Sequence, residues 1–426
     1  MIRTWPLGAV IAASLLFLSC GSSSSANPRL VGDLSVPNVA AGTNFSFDLG
    51  VVDNATGRYY VTDRNNQAVD VVDVNTNALI TQIKGGFFGC SPNPSCVNAS
   101  NSKSGPDGIN LITGTNFIYV GDVNSVKVVD KTSNTVTKTI TVSTTGFRAD
   151  EGCFDPDDNI FMISSPEESP PFSTFISTTT QTVIAKINFP TAAGLEQCAY
   201  DHGTKSFLVN NDGTVDSAGN PAPPNPHGEV DVIPASFVAA GNPTFTSPAI
   251  IAAGVTLPAP NGTNGFKVYP LGDCDPTGMD LGPGNDIAIS CRPGTVGTAL
   301  NVLIMDRTNG TVLATVNAGG SDQIAYDSVS NRYYAASSRW NDTGKTISAG
   351  GTCTAANPCN PVLNIIDAAS RTLVTRLPSG NNAHSVAVSG TSHKVFVPYS
   401  SATAPAGCPT CGTTFPNGGI SVFATQ

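Results

Sequence analysis

Six positions in this 426-residue chain could hold a cation or move a proton: Asp48, Asp107, Asp150, Glu196, Asp322 and His384, with Thr277 at the matching place of one further repeat. Each stands just before the apolar part of a short strand pattern, and Asp275 lies two residues from the odd Thr277. Brought together, the carboxylates would raise one another's pKa unless a cation or a protonated neighbour compensated. Oxygen-rich clusters of this kind suit one divalent ion, Ca²⁺ or Mg²⁺, while His384 is more typical of a transition-metal site. The same side chains have a plainer use, as hydrogen-bond partners for channel water and neighbouring backbone. His227, in Pro226-His227-Gly228, is the other histidine placed to act as a base or ligand; His202 and His393 fall in short polar turns. The chain contains no Gly-x-Ser-x-Gly elbow, His-Glu-x-x-His pair, phosphate loop or dinucleotide fingerprint.

A repeat positions these residues. Tyr59-Tyr60-Val61-Thr62-Asp63 leads through Val69-Asp70-Val71-Val72-Asp73 to Leu79-Ile80-Thr81-Gln82-Ile83. Related runs follow at Ile118–Asp122, Val126–Asp130 and Thr135–Ile140, and again at Asn301–Asp306 with Thr311–Val316 and Leu363–Asp367 with Thr372–Leu377. Self-similarity at roughly 40–60 residues, built from short strands and turns, predicts an all-β propeller. Aligned repeats give seven blades: Asp48–Ile83, Asp107–Ile140, Asp150–Ile187, Glu196–Ile251, Asp275–Val316, Asp322–Leu377 and Ala383–Phe423. The last lacks a fourth strand, and Leu30-Val31-Gly32-Asp33-Leu34 matches Leu373–Leu377, the outer strand of blade 6. The N-terminal strand is therefore expected to close the ring, making residues 29–426 one seven-bladed domain and covering edges an open array would expose.

The Tyr60-Val61-Thr62-Asp63, Val71-Val72-Asp73 and Leu79–Ile83 segments resemble the YVTN-type β-propeller repeat. The resemblance implies a surface or periplasmic propeller. It implies little about activity, because the family hosts binders as well as enzymes.

The first residues read as a targeting segment. An apolar run from Leu7 to Leu18 is shorter than the about 20 residues a spanning helix needs. Ser19-Cys20-Gly21-Ser22 follows, which resembles a bacterial lipoprotein signal with Cys20 as the lipidated residue; the alternative is an ordinary cleaved signal peptide. On the lipoprotein reading residues 1–19 are the signal and 20–28 a flexible tether to the membrane. The same resemblance implies outer-membrane sorting, since Gly21 follows the cysteine.

Cysteine use agrees with export: of 11 cysteines, ten remain beside Cys20. Cys90 with Cys96, Cys353 with Cys359, and Cys408 with Cys411 are close pairs within loops. Cys274 and Cys291 flank a hairpin, and Cys153 and Cys198 fall at matching places in successive repeats. Cys408-Pro-Thr-Cys411 has redox-motif spacing but no surrounding βαβ pattern, so a loop staple is expected. Only 12% of residues are charged and the net charge is −10, with no basic patch, which speaks against nucleic acid.

Asp73, Asp130, Asp306 and Asp367 are expected to cap turns after third strands. Tyr60, Tyr119, Phe161, Phe207 and Tyr334 are expected to pack between blades. Long connections, among them Gly86–Pro106, Asn210–Gly228, Ser338–Pro361 and Ser400–Gly418, gather on the channel face that carries the carboxylates. A binding propeller using that face for a protein or glycan partner requires nothing more than this. A metal-dependent lactonase or ester hydrolase would use a channel-mouth cation, with Glu196, Asp322 and His384 as ligands or bases. A lyase with His384 as base is a third reading.

Overall fold

The computed structural model describes residues 27–239, 245–246, 266–347, 358–401 and 415–425. Seven sheets, antiparallel except for one short added strand, follow one another around a ring, and the innermost strands contact their counterparts in both adjacent sheets. Blade 1 consists of Gly50–Asp53, Arg58–Asp63, Ala68–Asp73 and Ala78–Lys84, each strand paired with its neighbour in sequence. Its strands are four to seven residues long because turn chemistry ends them. Asp73 Oδ1 accepts from the backbone N–H of Asn75 (2.9 Å) and Thr76 (2.8 Å). Asp130, Asp306 and Asp367 do the same in their blades. A β-bulge recurs between third and outer strands at Val71/Val72, Val128/Val129, Phe175/Ile176, Ile304/Met305 and Ile365/Ile366, which twists the exposed edge away from regular pairing.

The ring closes as the sequence predicts. Arg29–Ser35 pairs antiparallel with Gly419–Ala424, placing Arg29 opposite Ala424 and Ser35 opposite Gly419. Cores lie between blades. Tyr60, Val69 and Val71 of blade 1 pack with Ile109, Ile118 and Val120 of blade 2. Tyr119 of blade 2 meets the edge of Phe161 of blade 3 at 5.1 Å, and at the closing seam Tyr59 stacks on Phe396 at 4.8 Å. On the short-turn face, ion pairs link neighbouring blades: Lys131–Asp53 (2.7 Å), Arg307–Asp201 (2.8 Å) and Arg371–Asp286 (2.7 Å).

Blade 4 departs from expectation. Its outer strand is Lys267–Pro270, not a segment ending at Ile251. The chain leaves the third strand, Glu229–Pro234, into a five-residue helix, Ala235–Ala239, in a sequence that shows no helical period. Phe245–Thr246 then adds in parallel to the outer strand of blade 3. The insertion breaks the spacing on which repeat alignment depends.

Three disulfides join the pairs expected: Cys90–Cys96, Cys153–Cys198 and Cys274–Cys291. Cys153–Cys198 ties the innermost strands of blades 3 and 4. Cys359 is disulfide-bonded too. Cys20, Cys353, Cys408 and Cys411 lie outside the described residues, as do the expected signal (1–19) and most of the expected tether (20–28). Among the described residues no helix is long and apolar enough to cross a membrane.

Candidate functional site

Convergence at the channel mouth begins with backbone. The segments entering the innermost strands of blades 2 and 3 touch, because Gly108 has no side chain: a Cβ there would stand 1.9 Å from the Asp150 carbonyl oxygen. Similar seams run around the ring. Asp322 N–H donates to the His384 carbonyl (3.1 Å), Ser385 Oγ to the Asp48 carbonyl, and Thr277 Oγ1 to the Ser321 carbonyl (2.5 Å). Asp48, Asp150, Glu196, Asp322 and His384 consequently line one cavity of about 510 Å³, with Asp107 buried behind them. Donor atoms of Asp48, Asp107 and Asp150 lie within 4.8 Å of one another. Thr277 is fully buried, its hydroxyl spent on the seam.

Four arginines that the repeat pattern does not single out share this cavity: Arg64, Arg148, Arg292 and Arg339. Arg64 Nη2 stands 3.1 Å from Asp48 Oδ2 and also contacts Asp107 Oδ1, which accepts from Arg64 Nε at 3.0 Å. Arg148 Nη2 lies 2.7 Å from Asp150 Oδ2. Across the mouth, Arg292 reaches Asp275 (3.0 Å) and Glu196 (3.8 Å). Arg64 and Arg292 each follow directly on the last residue of a second strand, and Arg339 stands two residues past one. A register argument applied to second-strand ends as well as first-strand beginnings would have found them.

These cations set the electrostatics. Burial would raise Asp48, but Arg64, His384 and Arg148 outweigh it and hold the carboxyl well below its usual range. Burial dominates at Asp107, pushed up to about 7 despite Arg64, and at Asp150, raised despite Arg148. Glu196 is raised by burial and by Asp212, with Arg292 opposing. His384 resists the downward pull of burial through Asp48 and Asp322, and its pKa is raised. Its Nδ1 donates to the Asn382 carbonyl (2.6 Å), Nε2 faces Asp48 Oδ1 (3.7 Å), and the ring stacks on Phe47 at 4.6 Å. The carbonyl at Nδ1 and the carboxylate near Nε2 both stabilise the imidazolium relative to the neutral ring. That shift works against the neutral ring that a metal ligand or general base needs.

His227 is half-buried and does not line the cavity; its carbonyl accepts from the backbone of Cys274 (3.0 Å) and Asp275 (2.7 Å). His202 lies in an exposed turn, 2.7 Å from Asp157. The long connections do reach the mouth: Cys96, Asn101, Ser338, Cys359 and Ser400 are part of its wall. Chemically, the arrangement is a water-accessible polar cavity with fixed charges of both signs, suited to orienting a charged ligand.

No family model matches the chain, and no curated protein matches it. Solved structures resemble it in fold. A hydrazine synthase chain from Kuenenia stuttgartiensis is 14% identical over 85% of this chain and 95% of its own, with a TM-score of 0.55. A chain of a mitotic checkpoint complex is 11% identical over 100% and 98% (TM-score 0.54). U3-55K is 9% identical over 94% and 99% (TM-score 0.56). Likeness at these identities extends to the propeller architecture alone.

Proposed function

We propose that this chain is an exported, envelope-anchored binding propeller that engages its partner through the long-loop face. The observation that carries this reading is the charged cavity of about 510 Å³ at the channel mouth, walled by the long, partly disulfide-closed connections. A rigid ring presenting variable loops around a pocket is a general recognition design. Disulfides support an oxidising compartment, and the Ser19-Cys20-Gly21 context supports a lipid anchor. The YVTN-type repeat resemblance agrees with both.

Site-specific photocrosslinking in the native envelope tests this whatever the partner is. Crosslinkers at exposed Asn101 and Thr295, on the long-loop face, are expected to capture one discrete species. Crosslinkers at exposed Asn75 and Thr391, on the short-turn face, are expected to capture none. Discrete capture from the short-turn face alone would overturn the reading.

A metal-dependent lactonase or ester hydrolase is the second reading, because the Asp48–Asp107–Asp150 donors lie within 4.8 Å. It is less favoured, since Arg64 and Arg148 already supply cations to all three. Elemental analysis of chelator-free protein tests it: one tightly held divalent ion per chain, with a melt lowered by EDTA, would install it in place of the first.

A further inference from the structure

Glu151 combines two features at the mouth, a buried oxygen without a partner and no arginine paired with it among the described residues. It lines the cavity at 3% exposure, and its Oε2 is buried with no hydrogen-bond partner. The backbone fixes it there, its carbonyl accepting from Ser164 N–H at 2.9 Å. Asp48, Asp107, Asp150 and Glu196 each face a guanidinium. Burial together with the negative charge of Glu196, Asp150, Asp48 and Asp322 raises the pKa of Glu151 well above the usual range. A buried carboxyl oxygen that has no partner and borders an open cavity marks a place that a bound ligand can complete.

The missing partner is a cation. Among the described residues, the one trio of potential metal donors within 4.8 Å is Asp48, Asp107 and Asp150, which excludes Glu151. A single unpaired carboxylate suits an organic ammonium better than a divalent ion, because the ammonium is held by one charge-assisted hydrogen bond whereas the ion needs several converging oxygens. We propose that the Glu151 corner of the mouth is a recognition subsite for a primary ammonium group, presented by a free small amine or by a lysine side chain of a partner protein. The proposal rests on the mouth being the binding face.

Calorimetric titration of the full chain tests it with three probes: N-acetyl-lysine amide, n-butylamine, and N-acetyl-norleucine amide, which keeps the stem and lacks the ammonium. The lysine probe is expected to bind and the norleucine probe to give no heat. Comparable affinity for butylamine would identify a small-amine source, and clear preference for the capped lysine a peptide source. Glu151→Gln, which preserves shape, is expected to weaken amine binding about tenfold or more, the loss of one charge-assisted hydrogen bond. Glu151→Asp, which keeps the charge but draws it back, should fall between. No amine binding to the unaltered protein, or equal binding to protein and both variants, would overturn the proposal. So would Ca²⁺ binding that Glu151→Gln abolishes. Crosslinking from the long-loop face would still succeed if only the ammonium assignment were wrong, and would fail if the face itself were wrong.

Discussion

Arg148 Nη2 lies 2.7 Å from Asp150 Oδ2, and the same guanidinium extends Nη1 to within 3.9 Å of Asp48 Oδ2. One side chain, in the segment leading into blade 3, therefore serves carboxylates from two blades. With Arg64 and His384 it stands against Asp48, Asp107 and Asp150, three basic groups beside three carboxyls. Such a cluster is stable only as a set, since each charge buried here has given up its water.

Arg148→Met should accordingly be strongly destabilising, by about 3–5 kcal/mol, the usual result of stranding a buried carboxylate. Denaturant unfolding at pH 7.5 measures it. A loss below about 1 kcal/mol would mean that Asp150 takes up a proton, or finds water or another partner, without Arg148.

Glu151→Gln should have the opposite sign. Burial and four carboxylates penalise the Glu151 anion, and the amide removes that penalty at nearly constant volume. The melting temperature at pH 7.5 is expected to rise, and a fall would show that Glu151 has a stabilising partner within the fold. Opposite signs for two substitutions in one cavity separate a structural ion pair from a site kept at the expense of stability.

Stability should also fall as pH rises from 5.5 to 8. Burial raises Asp63 and Asp122 to about 6, and Asp107, Asp212, Glu229 and Asp280 to about 7. Unfolded, these carboxyls titrate near 4. Between about 4 and 7 the native state thus binds more protons than the unfolded state, and stability declines with pH through that window. Asp48 acts in reverse, its contribution being lost only under strongly acid conditions. Melting curves at pH 5.5 and 8.0 decide the matter: a higher transition at pH 8.0 would contradict it.

The ring was legible in the sequence because its signals are local and repeated. The apolar spacing of Leu30–Leu34 matches that of Leu373–Leu377, which is enough to predict the closing strand. The carboxylates were legible for the same reason, each preceding a first strand. Arg148 lacks this regularity, lying in a connector, and nothing in the local pattern shows that Asp48, 100 positions earlier, is near it. The outer strand of blade 4 was hidden because the insertion after Pro234 shifts the repeat's phase. What escaped the sequence is what depends on contacts between blades.

Gly108 is where backbone geometry and the candidate site meet. A Cβ at this position would fall 1.9 Å from the Asp150 carbonyl oxygen, 2.8 Å from its carbonyl carbon and 3.0 Å from the Glu151 Cα. Backbone cannot swing aside as a side-chain end can, so Gly108→Ala must push the start of blade 3 away from blade 2. Overpacking of this kind costs typically about 1–3 kcal/mol. The displacement carries Asp150 away from Asp48 and moves Glu151 within the cavity. The variant is expected to melt lower while keeping the far-ultraviolet spectrum of a β-protein, and to lose affinity for the capped lysine out of proportion to its lost stability. Gly121→Ala is an informative companion, because its Cβ would meet the Ala149 carbonyl oxygen at 2.2 Å, on the same seam but farther from Glu151. Equal loss of amine affinity in the two variants would assign the effect to general loosening of the seam, and a larger loss in Gly108→Ala would assign it to the placement of Glu151.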